Sequence, residues 1–459
     1  MAHVESESPT TEPTHPDDAD QASEPLADLT AASDGADLEV PPELVAQSLG
    51  EYMRAWTVRI RGGESGVLPV LLGLALISIV FEVISPQHVF FSAGNLVNLF
   101  QQSAVFMVLA MAEGFALLLG EIDLSIGYGA AVGAAIGVQL VQPATTKWPW
   151  WAAIVAAVLA MGLFGAAQGF IITRLRLPSF VVTLGGYLIL EGVFLILLQL
   201  GPFSGSLSLS GTQTNLQTLY NLMWGTIDPT ISWIGMVVLV GLLGLSLWLR
   251  DSRRRRSGLV APPVGLTVVK IVLIAIVAIV VVAICNINRA HFGTLAGVPW
   301  VIPIVLAVLG AWTMLLQRTR YGRYVYAIGG NPEGARRAGI NLNRVRTWAF
   351  ALCLGTAALA GLLYASYLGG ITGNVNGGQL VLYAVAAAVI GGTSLFGGRG
   401  KIIHGVLGGL VIGGIYNGMF LLGLDVQWEF VVTGFVLLAA VAIDALSRRG
   451  ATGGSVARV

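Results

Sequence analysis

The sequence predicts an all-α protein: a polytopic transmembrane helical bundle of about 10–12 spans, some broken, with one short capped polar helix outside the bilayer. Three observations point there. Of the 459 residues, 55% are hydrophobic and only 11% are charged, against about a quarter charged in a soluble domain. Apolar runs of membrane-crossing length recur along the chain, each able to cross a hydrocarbon core about 30 Å thick. Of the 25 basic residues, 22 lie in alternate segments beside and between those runs.

Candidate spans are Val67–Ile84, Ser103–Leu119, Ile126–Val141, Trp150–Ile172, Phe180–Leu200, Ile231–Leu249, Leu266–Cys285, Trp300–Leu316, Trp348–Leu368, Leu380–Phe396, Ile402–Leu422 and Trp428–Leu446. Ile126–Val141 and Leu380–Phe396 are short and rich in glycine, as broken or re-entrant helices beside a cavity are. With the N-terminus inside, every Lys and Arg falls on the cytoplasmic side except Lys147, Arg289 and Lys270. Lys270 lies within a span near its cytoplasmic end. The count closes with both termini cytoplasmic.

Formal net charge is zero, yet 12 of the 25 acidic residues lie in the first 50 residues, which hold no Lys or Arg. Residues 1–50 read as a disordered acidic tail, since they carry too little apolar surface to fold. They lack the basic and apolar regions of a signal peptide. Residues 51–66 read as an interfacial segment, overlapping a Pro41–Ile60 stretch that fits an amphipathic helix at the membrane surface, residues 67–447 as the membrane domain, and residues 448–459 as a cytoplasmic tail. Cys285 and Cys353 lie in apolar helical stretches and suit the core better than a disulfide or a metal site. The run Arg253–Arg256 lies between two spans, so it reads as a topology anchor and not as a nucleic-acid site.

Arg320–Arg346 is the longest polar island in the second half of the chain. Inside it a helix has visible ends. Asn331 fits its cap, and Pro332 fits the first position. Glu333 in the first turn and Arg336 and Arg337 in the last are favourable for the helix dipole, with Ala335 between them. Gly339 fits the left-handed closing residue. An ordinary cytoplasmic loop and a part that pushes on a partner are both open on these residues alone.

Other polar residues interrupt the apolar runs. Glu113 precedes Gly120-Glu121-Ile122-Asp123-Leu124-Ser125-Ile126-Gly127. Charge at the bilayer centre costs about 2.5–3.5 kcal/mol on insertion scales, so these carboxylates must face the bundle interior, a water path or an interface. Asp123 and Ser125 fit either a cap of the next helix or a place on a translocation path. Pro178-Ser179 starts a helix, and Glu191 is a further intramembrane acid. Val389-Ile390-Gly391-Gly392-Thr393-Ser394-Leu395-Phe396-Gly397-Gly398-Arg399-Gly400-Lys401 ends in Gly-Lys but lacks the spacing and the Ser/Thr of a phosphate loop; ATP hydrolysis is not expected. Gly129, Gly133 and Gly137, and Gly405, Gly409 and Gly413, place bare backbone on one helix face, for packing within the bundle or between copies.

The run YGRYVYAIGGNPEGARRAGIN resembles the cytoplasmic coupling segment of permease subunits in bacterial ATP-binding-cassette (ABC) importers of monosaccharides. GEIDLSIG, PSF-x-VTL-x-G and VIGGTS-x-x-GG resemble that family's motifs as well. Asn417-Gly418-Met419, Leu424 to Trp428 and Asp444 are similar to the end of its xylose-type members. The likeness spans about residues 95–447 and includes the two spans around the tetra-Arg loop, which many ribose-type members lack. The acidic tail departs from the pattern. So does Gly334, where the family usually has Ala; glycine weakens a helix by about 1 kcal/mol.

The resemblance implies a permease subunit that moves a monosaccharide, a pentose such as xylose first, by alternating access across the bacterial cytoplasmic membrane. Asn331, Pro332, Glu333, Ala335, Arg336, Arg337 and Gly339 would couple it to an ABC ATPase subunit. That partner would hold ATP and Mg, so no cofactor, metal or catalytic residue is expected here. An extracytoplasmic sugar-binding protein and a second permease copy complete the implied partners, with the lipid bilayer around them. A neutral sugar needs hydroxyl-pairing and stacking groups. Candidates in the spans are Asn98, Gln101, Gln102, Gln168, Thr183, Tyr187 and Asn417, with Glu121, Asp123 and Ser125 at the path or the helix break. The rival reading is an ion-coupled secondary transporter, which leaves the capped helix unexplained. A membrane scaffold or sensor would be expected to carry a soluble domain.

Overall fold

The computed structural model describes residues 67–200, 205–258, 261–290 and 293–453, with Gly50, Glu51 and Arg54. The acidic tail and almost all of the interfacial segment lie outside the described residues. What is described is helical, with two small antiparallel ribbons. Among the described residues, eight helices are long and apolar enough to cross a membrane, and four shorter apolar helices accompany them.

Helix α1 spans Leu68–Ile84, followed by α2 (Ala93–Leu118), α3 (Ile126–Val141), α4 (Trp150–Leu175) and α5 (Ser179–Gln199). After strand β1 (Ser206–Ser208) come α6 (Thr214–Trp224), β2 (Thr226–Ile227), α7 (Pro229–Arg256) and α8 (Val264–Asn286). Strand β3 (Val298–Pro299) leads into α9 (Val301–Arg318), α10 (Arg320–Gly330) and α11 (Pro332–Arg337). The chain closes with α12 (Leu342–Leu368), β4 (Gly370–Thr372), α13 (Gly377–Ile390), α14 (Ile402–Leu421) and α15 (Val426–Gly453). Strand β1 pairs with β4 and β2 with β3, tying loop ends together on the face away from the arginine-rich loops.

The core sits on α2 and α12. The apolar stretch of α2 is wholly buried and that of α12 is 83% buried. The glycine stripes explain how helices come so close. A methyl on Gly133 would lie 2.5 Å from the Ala358 methyl of α12, and Gly129 and Gly137 face Leu354 and Leu362. Gly405, Gly409 and Gly413 of α14 lie against Met111, Met107 and Ser103 of α2. Both stripes therefore pack within the chain.

All twelve candidate spans fall on helices, two of them with notable differences in extent. The span expected over Leu380–Phe396 ends at Ile390, and residues 391–400 form a loop; apolar composition continues past the helix, but the glycines turn it. At 14 residues α13 is about 21 Å long, short of the ~30 Å core. Helix α2 begins at Ala93, ten residues before the apolar run, because Ser92 caps it through Asn95 N at 3.3 Å. Between the candidate spans that end at Leu200 and begin at Ile231 lies α6, which buries Leu216, Leu219 and Met223 on one face.

Candidate functional site

Two assemblies bring the polar residues together. The first is a junction on the arginine-rich face. Asn331 caps α11 by accepting from Gly334 N at 2.8 Å, and Pro332 opens the helix. Gly339 takes φ +79°, and Ile340 N returns to Ala335 O at 3.1 Å, closing the end as a left-handed glycine cap does. Glu333 pairs with Arg336 at 3.5 Å and Arg337 at 3.6 Å, all three exposed. Only Ala335 turns inward. The helix thus shows a charged outer surface, while Asn341 caps the adjoining α12 through Arg344 N at 3.0 Å.

Helix α10 went unread in the sequence. It carries α11 and buries Gly322, Val325 and Ile328 on one face, a spacing of three that could have revealed it. Its end meets α2 and the glycine loop main chain to main chain. Gly398 N donates to Leu118 O at 2.9 Å. A methyl on Gly329 would stand 1.9 Å from Leu118 O and 2.4 Å from Gly398 N. One on Gly397, itself at φ +81°, would stand 2.7 Å from Gly120 N. Tyr326 Oη donates to Gly400 O at 2.9 Å. The three glycine-bearing motifs therefore converge on one point.

Above this point lies the break between α2 and α3. Glu121 forms an ion pair with Arg346 at 2.9 Å, with the carboxylate side chain 10% exposed and the guanidinium 29%. Asp123 and Glu113 are fully buried. Glu113 accepts from Asp123 N at 3.1 Å and faces Cys353 Sγ at 3.9 Å. Ser125 precedes α3 but makes no cap bond. Its amide and hydroxyl donate to Asp123 Oδ1 at 2.9 and 2.6 Å, and Gln168 Oε1 lies 3.1 Å from the hydroxyl. Thr183 sits under the same break, 3.4 Å from Ile122 O. The carboxylate thus fixes a tight turn instead of capping α3.

The second assembly lies among α2, α12, α13, α14 and α15. Asn95 donates to Asn417 Oδ1 at 2.9 Å, Asn417 to Gln102 Oε1 at 3.0 Å, and Gln102 to Tyr367 Oη at 2.9 Å. Gln379 donates to Tyr383 Oη at 2.9 Å, and Tyr383 donates to Glu429. Phe106 stands edge-on to Tyr383 and Tyr416, with ring centres 5.2 and 5.9 Å apart. Tyr364, Tyr367, Tyr416, Gln379 and Asn98 are only half-buried, so the box is open on one side in the single chain. Trp224 of α6 stacks on Tyr367 at 5.6 Å and donates to its carbonyl at 3.2 Å, closing the end away from the arginine-rich face.

The structure brings Gln102 and Asn417 together and sets Asn98 one turn away on the same face of α2. Gln101 points elsewhere, to Met223 O at 2.7 Å. Gln168 and Thr183 belong to the break, and Tyr187 stands edge-on to Tyr128, which donates to Glu191 at 2.9 Å. The tyrosines and Glu429 were missed; Tyr364 and Tyr367, three residues apart on a helix of small residues, were the readable signal.

The profile of a family described as a branched-chain amino acid transport system permease component matches residues 95–441. The chain belongs to this permease family. It is 32% identical over 387 residues to the xylose transport system permease protein of Haemophilus influenzae, covering 83% of this chain and 96% of that one. It is 29% identical over 397 residues to the ribose import permease protein of Escherichia coli K12, covering 86% and 95%. It is 28% identical over 375 residues to that organism's D-allose transport system permease protein, covering 81% and 90%. No solved structure matches the chain significantly. The permease is a multi-pass membrane subunit, and among the described residues no group of three or more His, Cys, Asp or Glu could hold a metal ion.

Proposed function

We propose that this permease imports a neutral monosaccharide, a pentose such as xylose first, along a path lined by the tyrosine box. The box itself carries the reading. Hydroxyls and amides interleaved with aromatic rings pair and stack with a sugar, as a neutral polyol requires. A second copy of the chain would cover its open side. The family description raises an amino acid as cargo. A zwitterion needs a cation for its carboxylate, and among the described residues of the box there is only the acid Glu429. The xylose, ribose and allose relatives support the sugar.

The arginine-rich face is taken as cytoplasmic, with both termini on that side. An ABC ATPase subunit, holding ATP and Mg, would grip the charged surface of α11. Its closure would pass through α10 to the glycine junction and through α12 to the Glu121–Arg346 pair. A sugar-binding protein outside would deliver the solute beside α6. The acids of the break have structural partners in the turn, which leaves less for an ion-coupled mechanism to use.

Cells carrying the complete importer test the box. In Tyr383→Phe and Glu429→Gln, labelled xylose uptake falls roughly tenfold per variant at unchanged membrane level, since one hydrogen bond is worth about 1 kcal/mol and one to a charged group more. Unlabelled valine does not compete. Unchanged uptake in both variants, or competition by valine, would remove the sugar path from this box.

A further inference from the structure

The α7–α8 hairpin touches the bundle sparingly and ends in Arg250-Asp251-Ser252-Arg253-Arg254-Arg255-Arg256. The five arginines have different jobs. Arg250 Nε contacts Asp251 at 3.1 Å. Asp251 is 1% exposed and accepts at its other oxygen from Thr267 Oγ1 of α8 at 3.0 Å. Arg255 donates to Pro262 O at 2.9 Å and lies over the Trp248 ring at 5.9 Å. These contacts close the hairpin and consume its one acid. Arg253, Arg254 and Arg256 remain exposed, and among the described residues none of them meets a carboxylate.

The two helices beneath them are apolar and exposed. Leu242, Leu245 and Leu249 of α7, and Val264, Val268 and Val272 of α8, are each more than 40% accessible. Both helices are of spanning length, so the medium against these faces is acyl chain. Three uncompensated guanidiniums therefore stand where such chains end in headgroups. Arg253 and Arg256 are one turn apart on one face, and guanidinium binds phosphate oxygens in pairs.

We propose that the tip of this hairpin binds an anionic phospholipid. Arg253, Arg254 and Arg256 hold its phosphate, and the chains lie along α7 and α8. A zwitterionic lipid carries its own cation and satisfies these arginines less well. Charge attraction of this kind is worth a several-fold preference for each arginine.

Native mass spectrometry of the full chain, supplied with equal phosphatidylglycerol and phosphatidylcholine, reads the preference. The wild type retains phosphatidylglycerol in excess. Replacing the three by Gln lowers that excess roughly tenfold or more, whereas replacing them by Lys keeps most of it. Raising ammonium acetate from about 0.1 to 1 M, which cuts the screening length from ~10 to ~3 Å, removes the wild-type excess, a readout that needs no variant. Equal retention of both lipids, a Gln variant that keeps the wild-type ratio, or a ratio indifferent to salt overturns the assignment. So does displacement of the lipid by inorganic phosphate at matched ionic strength, which would mark a site for a soluble anion.

Discussion

Gly329→Ala abolishes uptake, to below about a tenth of wild type, although the side chain gains a single methyl. That methyl would stand 1.9 Å from Leu118 O and 2.4 Å from Gly398 N. Both atoms are main chain and already bonded near one another, so no rotamer change relieves the clash. Helix α10 must move away from α2, carrying α11 with it. Overpacking of this kind costs about 1–3 kcal/mol even where side chains can yield. Gly330→Ala is the control, because nothing lies within 4 Å of a methyl there. It keeps most of its transport. Labelled-sugar uptake, normalised to membrane protein by immunoblot, separates the two. Equal activity in both variants would mean that the glycine junction transmits nothing.

The second large effect is electrostatic. Glu121→Gln leaves Arg346 with most of its surface buried and no carboxylate to face. Breaking a buried pair costs about 3–5 kcal/mol; the 29% exposure of Arg346 reduces this to about 2–3 kcal/mol. Because the pair ties the α2–α3 break to the first turns of α12, the loss falls on transport as well as on stability. Uptake drops at least tenfold, and the melting temperature of the purified permease falls by several degrees. Exchanging the two charges in Glu121→Arg/Arg346→Glu restores a substantial part of both. A double exchange no better than the worse single variant would show that the pair has no role of its own.

The parts legible in the sequence were those set by neighbours in the chain. The α11 helix was readable because Asn331, Pro332 and Gly339 act locally, and the structure gives the 2.8 Å cap and the positive φ they imply. The spans were readable from apolar runs. Helices α10 and α6 were missed because each is 11 residues long and its apolar residues are interrupted by polar ones or glycine; their stability comes from burying a narrow stripe on the bundle. The glycine stripes announced close approach but not what approached, and nothing marked Gly329, which meets Leu118 across more than 200 residues. Distance in the chain also hid the box. Gln102 and Asn417 stood out as amides in apolar helices, whereas Tyr364, Tyr367, Tyr383 and Tyr416 drew no reading, since aromatic rings are common in such helices. Only folding sets Gln102 against Tyr367 and Glu429 against Tyr383.

The central claim is that this chain has a path but no motor, and the most direct test uses the purified permease in sealed vesicles. Labelled xylose accumulation against a gradient is measured with and without an imposed proton or sodium gradient, then with the ATPase subunit, the binding protein and ATP added. The account predicts no accumulation by the permease alone under any ion gradient, and uptake only with ATP and both partners. Concentration of sugar by the permease alone, driven by an ion gradient, would contradict it.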